Sequence, residues 1–220
     1  MELIGGGRAS QVFALGERKV LRRSGFDVSG EARLMRHLHQ AGFPVPEVLA
    51  VDGGDLTMRR LHGRTLGAEV VGGGLGADGA SAVLLDLHDR LHEIDAPAWL
   101  PTEARGIELG GKGTPKVLHL DLHPENVIVT DEGPYLIDWT NAAAGEPEID
   151  LAVSWAVLVG IDPDALGEGA AALAGLLNAF ARRTTADALA IAVAYRRADP
   201  NVDAAEADRL GEASDAARVG

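Results

Sequence analysis

An α+β architecture follows from three features of this 220-residue chain. Residues 3–60 break into short β-type runs around a single helical segment. Residues 67–79, "GAEVVGGGLGADG", are crowded with glycine, and helical patterns dominate thereafter. The expected organisation is a small antiparallel sheet with one helix over 1–66, a glycine-rich linker over 67–80, and a mainly helical lobe over 81–220.

The elements can be justified in order. "LIGGG", "QVFALG" and "KVLRRS" are brief runs separated by Gly, Ser or charge, as in an antiparallel meander. In "EARLMRHLHQAG", Leu34, Leu38 and Ala41 recur at helical spacing, and Gly42 stands where a helix stops. Two further strands follow, joined by Asp52-Gly53-Gly54, which completes a five-stranded sheet. Beyond the glycine stretch, "SAVLLDLHDRLHEI" keeps Leu84, Leu87, Leu91 and Ile94 near one face. Residues 95–115 carry no extended helical pattern. "VIVT" and "PYLIDW" are short strands joined by Asp131-Glu132-Gly133, and three alanine-rich helices follow from residue 148. The last twenty residues are polar enough to fray.

Composition narrows the function. Hydrophobic residues make up 46%, enough for a core, yet no run is apolar for the ~20 residues a membrane helix needs. The start, "MELIGGGRAS", lacks a basic stretch followed by an apolar one, so a cytoplasmic protein is expected. The absence of cysteine removes disulfides and thiolate zinc sites. A net charge of −13 disfavours nucleic acid and would suit a cationic small molecule, although it speaks first of solubility.

The chemistry concentrates in "HLDLHPENVIV", residues 119–129. His119-x-Asp121-Leu122-x-x-x-Asn126 matches the catalytic-loop pattern of kinases, and "YLIDW" places Asp138 twelve residues after Asn126, at the end of an apolar strand. Phosphoryl transfer requires in-line positioning and neutralisation of phosphate charge. Asp121 can accept the acceptor hydroxyl's proton. The amide oxygen of Asn126 and the carboxylate of Asp138 suit Mg²⁺, a hard cation that takes oxygen ligands.

"VLHLDLHPENVIV", "YLIDWTNAAAGEPEIDLA" and "FPVPEVLAVDG" resemble recurring blocks of the aminoglycoside phosphotransferase and choline-kinase-like family over roughly residues 3–160. That resemblance implies a protein-kinase-like bilobal fold and a phosphotransferase using ATP and Mg²⁺ on the hydroxyl of a small molecule (aminoglycoside-like, amino-alcohol or sugar). It implies Asp121 as catalytic base, Asn126 and Asp138 as metal ligands, and Asp150 as a brace for the catalytic loop. By sequence alone Asp150 could equally cap the helix "LAVSWAVLVG", or do both.

On the nucleotide side, "GGGRASQVFALG" occupies the place of a phosphate-covering hairpin, with Gly6, Gly7 and Ser10 as its contacts. Period-two alternation in "KVLRR" puts Arg22 where kinases carry a strand lysine, and Glu31, early in the next helix, is its expected partner. "TMRRLHGRTL" resembles the hinge, so backbone near Met58 and Arg60 is expected to meet adenine.

Competing interpretations have less support. A protein kinase is disfavoured by Asp138-Trp139-Thr140 in place of D-F-G and by the eleven residues that separate Asp138 from Asp150. A nucleotide-binding module without catalysis is the other alternative, and intact Asp121, Asn126 and Asp138 speak against it. His88 and His92 have metal-ligand spacing, but with no H-E-x-x-H and no evident third ligand zinc is not expected there. Asp162, Asp164, Glu168 and Asp199 are candidates to line a cationic acceptor's pocket, with helix capping as the simpler role. Acceptor identity and oligomeric state are not legible in the sequence.

Overall fold

The computed structural model describes residues 1–6, 10–111 and 113–219, the side chains of residues 168 and 216–219 lying outside that description. The chain opens with β1 (Glu2–Gly6), β2 (Ser10–Ala14), β3 (Lys19–Ser24), α1 (Ser29–Gln40), β4 (Val48–Asp52), β5 (Asp55–Arg59) and β6 (Gly63–Thr65). Then come α2 (Leu66–Val71), α3 (Ala77–His92), β7 (Glu103–Ala104), β8 (Ile107–Glu108) and β9 (Lys116–Leu118). A 3-10 turn at Pro124–Asn126 leads to β10 (Val127–Thr130), β11 (Gly133–Leu136) and β12 (Ala143–Gly145). The remainder is α4 (Pro147–Val159), a 3-10 segment at Pro163–Gly169, α5 (Ala170–Ala181), α6 (Ala186–Arg197) and α7 (Ala204–Val219).

Two units emerge. One comprises Met1–Arg64 with Val127–Thr140, the other Thr65–Asn126 with Asn141–Gly220. The first contains the expected five-stranded antiparallel sheet, in the order β1-β2-β3-β5-β4. Helix α1 buries Ala32, Leu34, Met35 and Leu38, one stripe at helical spacing. Its end is a Schellman motif: Gly42 has φ +79°, its N–H donates to the His39 carbonyl, and Phe43 N donates to the Leu38 carbonyl. The β10–β11 hairpin joins this unit through Leu136 N, which donates to the Pro44 carbonyl at 2.9 Å. Trp139, almost fully buried, meets Phe43 edge-on at 5.7 Å between ring centroids. Assignment of 127–140 to the N-terminal unit corrects the expected boundary, which gave all of 81–220 to the helical lobe.

The second unit is built on α4, whose residues 149–159 are all buried, as in a helix packed on every side. The expected glycine linker over 67–80 is largely helical instead. Thr65 Oγ1 accepts from Ala68 N at 3.0 Å and caps α2, while Leu66 is fully buried. Tertiary burial thus outweighs low helix propensity. Gly67 lies against the Glu125 carboxylate, the exposed end of a flexible side chain that a Cβ at position 67 would displace.

Residues 95–115 contain the β7–β8 hairpin, closed by Arg105 and Gly106 with φ of +53° and +75°, both positive as in a type I′ turn. The polar C-terminal segment, expected to fray, forms α7. Leu210 is fully buried, Asp203 Oδ1 accepts from Glu206 N at 2.8 Å, and Arg196 Nε donates to Glu206 Oε1 at 2.6 Å. Among the described residues no helix is long and apolar enough to cross a membrane.

Candidate active site

In the second unit, residues 119–126 leave β9 and turn through the 3-10 segment. Leu120 and Leu122 are buried, so they anchor the loop and leave Asp121 half-buried between them. Leu120 adopts φ +60°, a region that a leucine rarely visits. Asp150 supplies the compensation: Oδ1 accepts from Leu120 N at 2.7 Å and Oδ2 from His119 N at 3.1 Å. The carboxylate therefore braces the loop. It does not cap α4, whose cap residue is Glu146.

Asn126 is held by its own amide. Nδ2 donates to the Asp121 carbonyl at 2.9 Å and lies 3.4 Å from Asp121 Oδ2, leaving Oδ1 as the atom available to a cation. His123 completes the group, with Nε2 3.1 Å from Asn126 Nδ2 and 3.8 Å from Asp121 Oδ1, and Nδ1 accepting from Glu125 N. Beside this loop lies a small apolar pocket of about 110 Å³ lined by residues such as Val70, Leu158 and Leu173, with His123 and Glu125 at its polar edge.

The first unit gathers a second group. Arg22, buried on β3, donates from Nη2 to Glu31 Oε2 and reaches Asp138 Oδ1 from Nη1 at 3.3 Å. Glu31 also accepts from Trp139 N at 3.2 Å. Burial pushes the Glu31 carboxyl above its ordinary value, against the lowering effect of Arg22. Asp138, with φ +61°, accepts from Thr140 Oγ1 at 2.8 Å through the same Oδ1. Among the described residues no such bond reaches its Oδ2, and carboxylate and amide oxygens are the donors that Mg²⁺ prefers, so Asp138 and Asn126 each carry a ligand type suited to that cation.

Of the other expected contacts, Gly6 ends β1 opposite Gln11 and Ser10 begins β2 opposite Ser24. Gly7 lies outside the described residues. Met58 sits in β5 between Val20 and Val48, and Arg60 donates from N to the Arg18 carbonyl and from Nη1 to the Gly16 carbonyl.

Other groups differ from expectation. Asp150 is a third potential ligand beside His88 and His92, which the sequence left without one: His92 Nε2 is 3.0 Å and His88 Nδ1 3.4 Å from its Oδ2. Asp199 is already engaged, 3.1 Å from Arg105 Nη2 and 3.0 Å from Arg196 Nη1. Burial would raise its pKa, but hydrogen bonds from Asn201 and the two arginines lower it. Asp162 accepts from Asp164 N as a helix cap. Arg105 lies 4.3 Å over the buried Tyr195 ring, whose phenol is pushed up to about 12 chiefly by burial. Neither residue carried a sequence signal. Thr140 was legible only as a departure from D-F-G.

A model of the phosphotransferase enzyme family matches residues 1–110 and 75–189. The thiamine kinase of Salmonella paratyphi A is 29% identical over 167 residues, covering 63% of this chain and 58% of that protein. The thiamine kinase of Salmonella typhi is 30% identical over 166 residues with the same coverage. This chain thus spans less than two thirds of the length of these relatives. A choline/ethanolamine kinase family protein from Mesorhizobium loti superposes with a TM-score of 0.66 at 20% identity, covering 100% of this chain and 88% of that one. A thermostable mutant of the aminoglycoside phosphotransferase APH(4)-Ia, in ternary complex with AMP-PNP and hygromycin B, gives 0.61 at 17% identity, covering 100% and 93%. The fold is therefore that of the protein-kinase-like small-molecule kinases.

Proposed function

The chain belongs to the phosphotransferase enzyme family, and from that premise we propose that it transfers the γ-phosphoryl group of ATP to a hydroxyl of a small organic molecule. Asp121 is the base, Asn126 and Asp138 hold Mg²⁺, and Arg22, steadied by Glu31, meets the phosphates. Gly6, Gly7 and Ser10 cover the phosphates, and backbone near Met58 and Arg60 meets adenine. The observation that carries this assignment is the braced loop, in which a strained Leu120 and a fixed Asn126 flank Asp121. A strained backbone held by several specific bonds is characteristic of functional sites.

In the reaction the acceptor oxygen bonds to the γ-phosphorus as the bond to the β-γ bridging oxygen breaks, releasing ADP. The hydroxyl proton passes to an Asp121 carboxylate oxygen. Magnesium, when bound, neutralises phosphate charge. A small cationic alcohol of the thiamine or choline type is the first acceptor to test. The thiamine kinase relatives support it, as do the net charge of −13 and the apolar pocket edged by Glu125.

The test is transfer of radiolabelled γ-phosphate by the purified chain to thiamine, choline, ethanolamine and hygromycin B. We expect magnesium-dependent phosphorylation of one of them, reduced at least ~10³-fold by Asp121→Asn with nucleotide binding retained. Nucleotide binding without transfer to any acceptor would favour a non-catalytic module. No magnesium-dependent nucleotide binding would remove the assignment altogether.

A further inference from the structure

Three segments of the N-terminal unit enclose a polar cavity of about 420 Å³, a size at which small ligands are held. They are the β2–β3 turn, the residues that follow β5, and the β10–β11 turn. The walls carry Arg18, Arg59 and Arg60 against Asp131 and Glu132. The lining shares no residue with Arg22, Asp121, Asn126 and Asp138, the groups assigned to phosphoryl transfer.

Backbone bonds fix the frame. Arg60 N donates to the Arg18 carbonyl at 2.9 Å, and Arg60 Nη1 to the Gly16 carbonyl at 3.2 Å. His62 Nε2 lies 2.8 Å from the Glu17 carbonyl, which can only accept, so that nitrogen carries the hydrogen. Residues 60–62 thus grip three successive carbonyls of the β2–β3 turn.

The charges in this frame are unevenly paired. Arg59 Nη2 donates to Glu132 Oε2 at 2.7 Å, and the Tyr135 hydroxyl donates to the same oxygen at 2.9 Å, so Arg59 and Glu132 cancel. Among the described residues Arg18 has no carboxylate partner, and the Arg60 guanidinium bonds only to the Gly16 carbonyl. The Asp131 carboxylate has no cationic partner either. In a chain with 33 acidic and 20 basic residues, two arginines left without a carboxylate on one cavity stand out. A guanidinium is a planar fork of donors that matches phosphate oxygens. A phosphate monoester carries nearly two negative charges at neutral pH. Two free forks facing one free carboxylate therefore complement a phosphate joined to a cation.

We propose that this cavity binds a small phosphate monoester bearing a cationic group, its phosphate on Arg18 and Arg60 and its cation towards Asp131. Phosphorylation of a cationic alcohol yields such a molecule, so calling the ligand the chain's own product rests on the proposed function. The site itself rests on the unpaired charges.

The experiment is calorimetric titration of the full chain with phosphocholine, inorganic phosphate and choline, with Mg²⁺ and AMP-PNP present to fill the nucleotide site. Wild type should bind phosphocholine saturably, more tightly than either fragment, and more weakly as salt is raised. Arg18→Gln should weaken phosphocholine at least ~10-fold, the loss of a charge-assisted pair, with affinity for AMP-PNP unchanged. Asp131→Asn should weaken phosphocholine about 2- to 5-fold and leave inorganic phosphate unaffected. Amide exchange over residues 15–18 and 60–62 should slow when phosphocholine is added.

No saturable binding by wild type, or equal binding by Arg18→Gln, overturns the proposal, as does slowed exchange confined to other segments. Equal affinity for phosphocholine and inorganic phosphate, with no effect of Asp131→Asn, overturns the cation half and retains the anion site. Phosphocholine binding by a chain that transfers no phosphate retains the site and removes the ligand's identity as product. Transfer to choline without phosphocholine binding here removes the site and leaves the proposed function standing.

Discussion

Arg22 bridges two carboxylates of the N-terminal unit, donating from Nη2 to Glu31 and reaching Asp138 Oδ1 from Nη1 at 3.3 Å. The guanidinium and the Glu31 carboxylate are both buried, so removal of one strands the other. Arg22→Met is expected to destabilise the protein by about 3–5 kcal/mol in urea unfolding. The double variant Arg22→Met/Glu31→Gln should recover part of that, since no buried charge is left unpaired. Equal losses in the single and double variants would show that Glu31 is not the group that suffers.

Thr140 Oγ1 donates to Asp138 Oδ1 at 2.8 Å and so orients the carboxylate proposed to bind metal. Thr140→Val removes one hydrogen bond, about 1 kcal/mol, or roughly fivefold in affinity. Titration of Mn²⁺ with ADP by calorimetry should show that weakening, and a far larger one for Asp138→Asn. Undiminished affinity in both variants would place the metal elsewhere.

Stability should fall in two steps as pH is lowered. His88 lies below its ordinary pKa because it is buried, so the unfolded chain protonates there first. Its contribution is complete above the ordinary value of 6.5 and is lost as pH falls from there towards the lowered folded value. Asp150 follows the same sign in a lower window, beginning at the ordinary aspartate value of 3.8. One proton changes stability by at most about 1.4 kcal/mol per pH unit. Urea unfolding between pH 8 and pH 4 should show the first step in wild type and lose it in His88→Leu. A step that persists in the variant would assign it to another group.

Gly145 in β12 leaves no space for a side chain. A Cβ would stand 2.7 Å from Leu118 Cδ1 and nearer still to the Leu109 carbonyl oxygen, a backbone atom that cannot step aside. Gly145→Ala is expected to cost about 1–3 kcal/mol, read as a lower urea midpoint. Solvent-facing Gly5→Ala, with nothing within 4 Å of its Cβ, should stay within ~0.5 kcal/mol.

Much of the candidate site was legible because its chemistry is local in sequence. Asp121 and Asn126 belong to one turn, and the alternation in β3 identified Arg22 and so its partner Glu31. Contacts made at long sequence separation were less accessible. His92 and Asp150 are 58 residues apart, and nothing in either segment announces that the aspartate will sit on the histidines. Thr140 looked like a missing D-F-G glycine, although its hydroxyl steadies the aspartate two positions earlier.

The sequence by itself determined the five-stranded sheet with its helix and the catalytic-loop pattern, because periodicity, turn residues and motif spacing act over a few neighbouring positions. Tertiary structure alone decided that 66–71 and 204–219 are helical, that 127–140 joins the N-terminal unit, and that Asp150 braces the loop without also capping α4. In each case burial or a distant partner overrides local preference: Leu66 and Leu210 find a core, Trp139 finds Phe43, and a buried carboxylate finds its donors. Such terms depend on which surfaces meet after folding, and the chain around each residue does not encode that meeting alone.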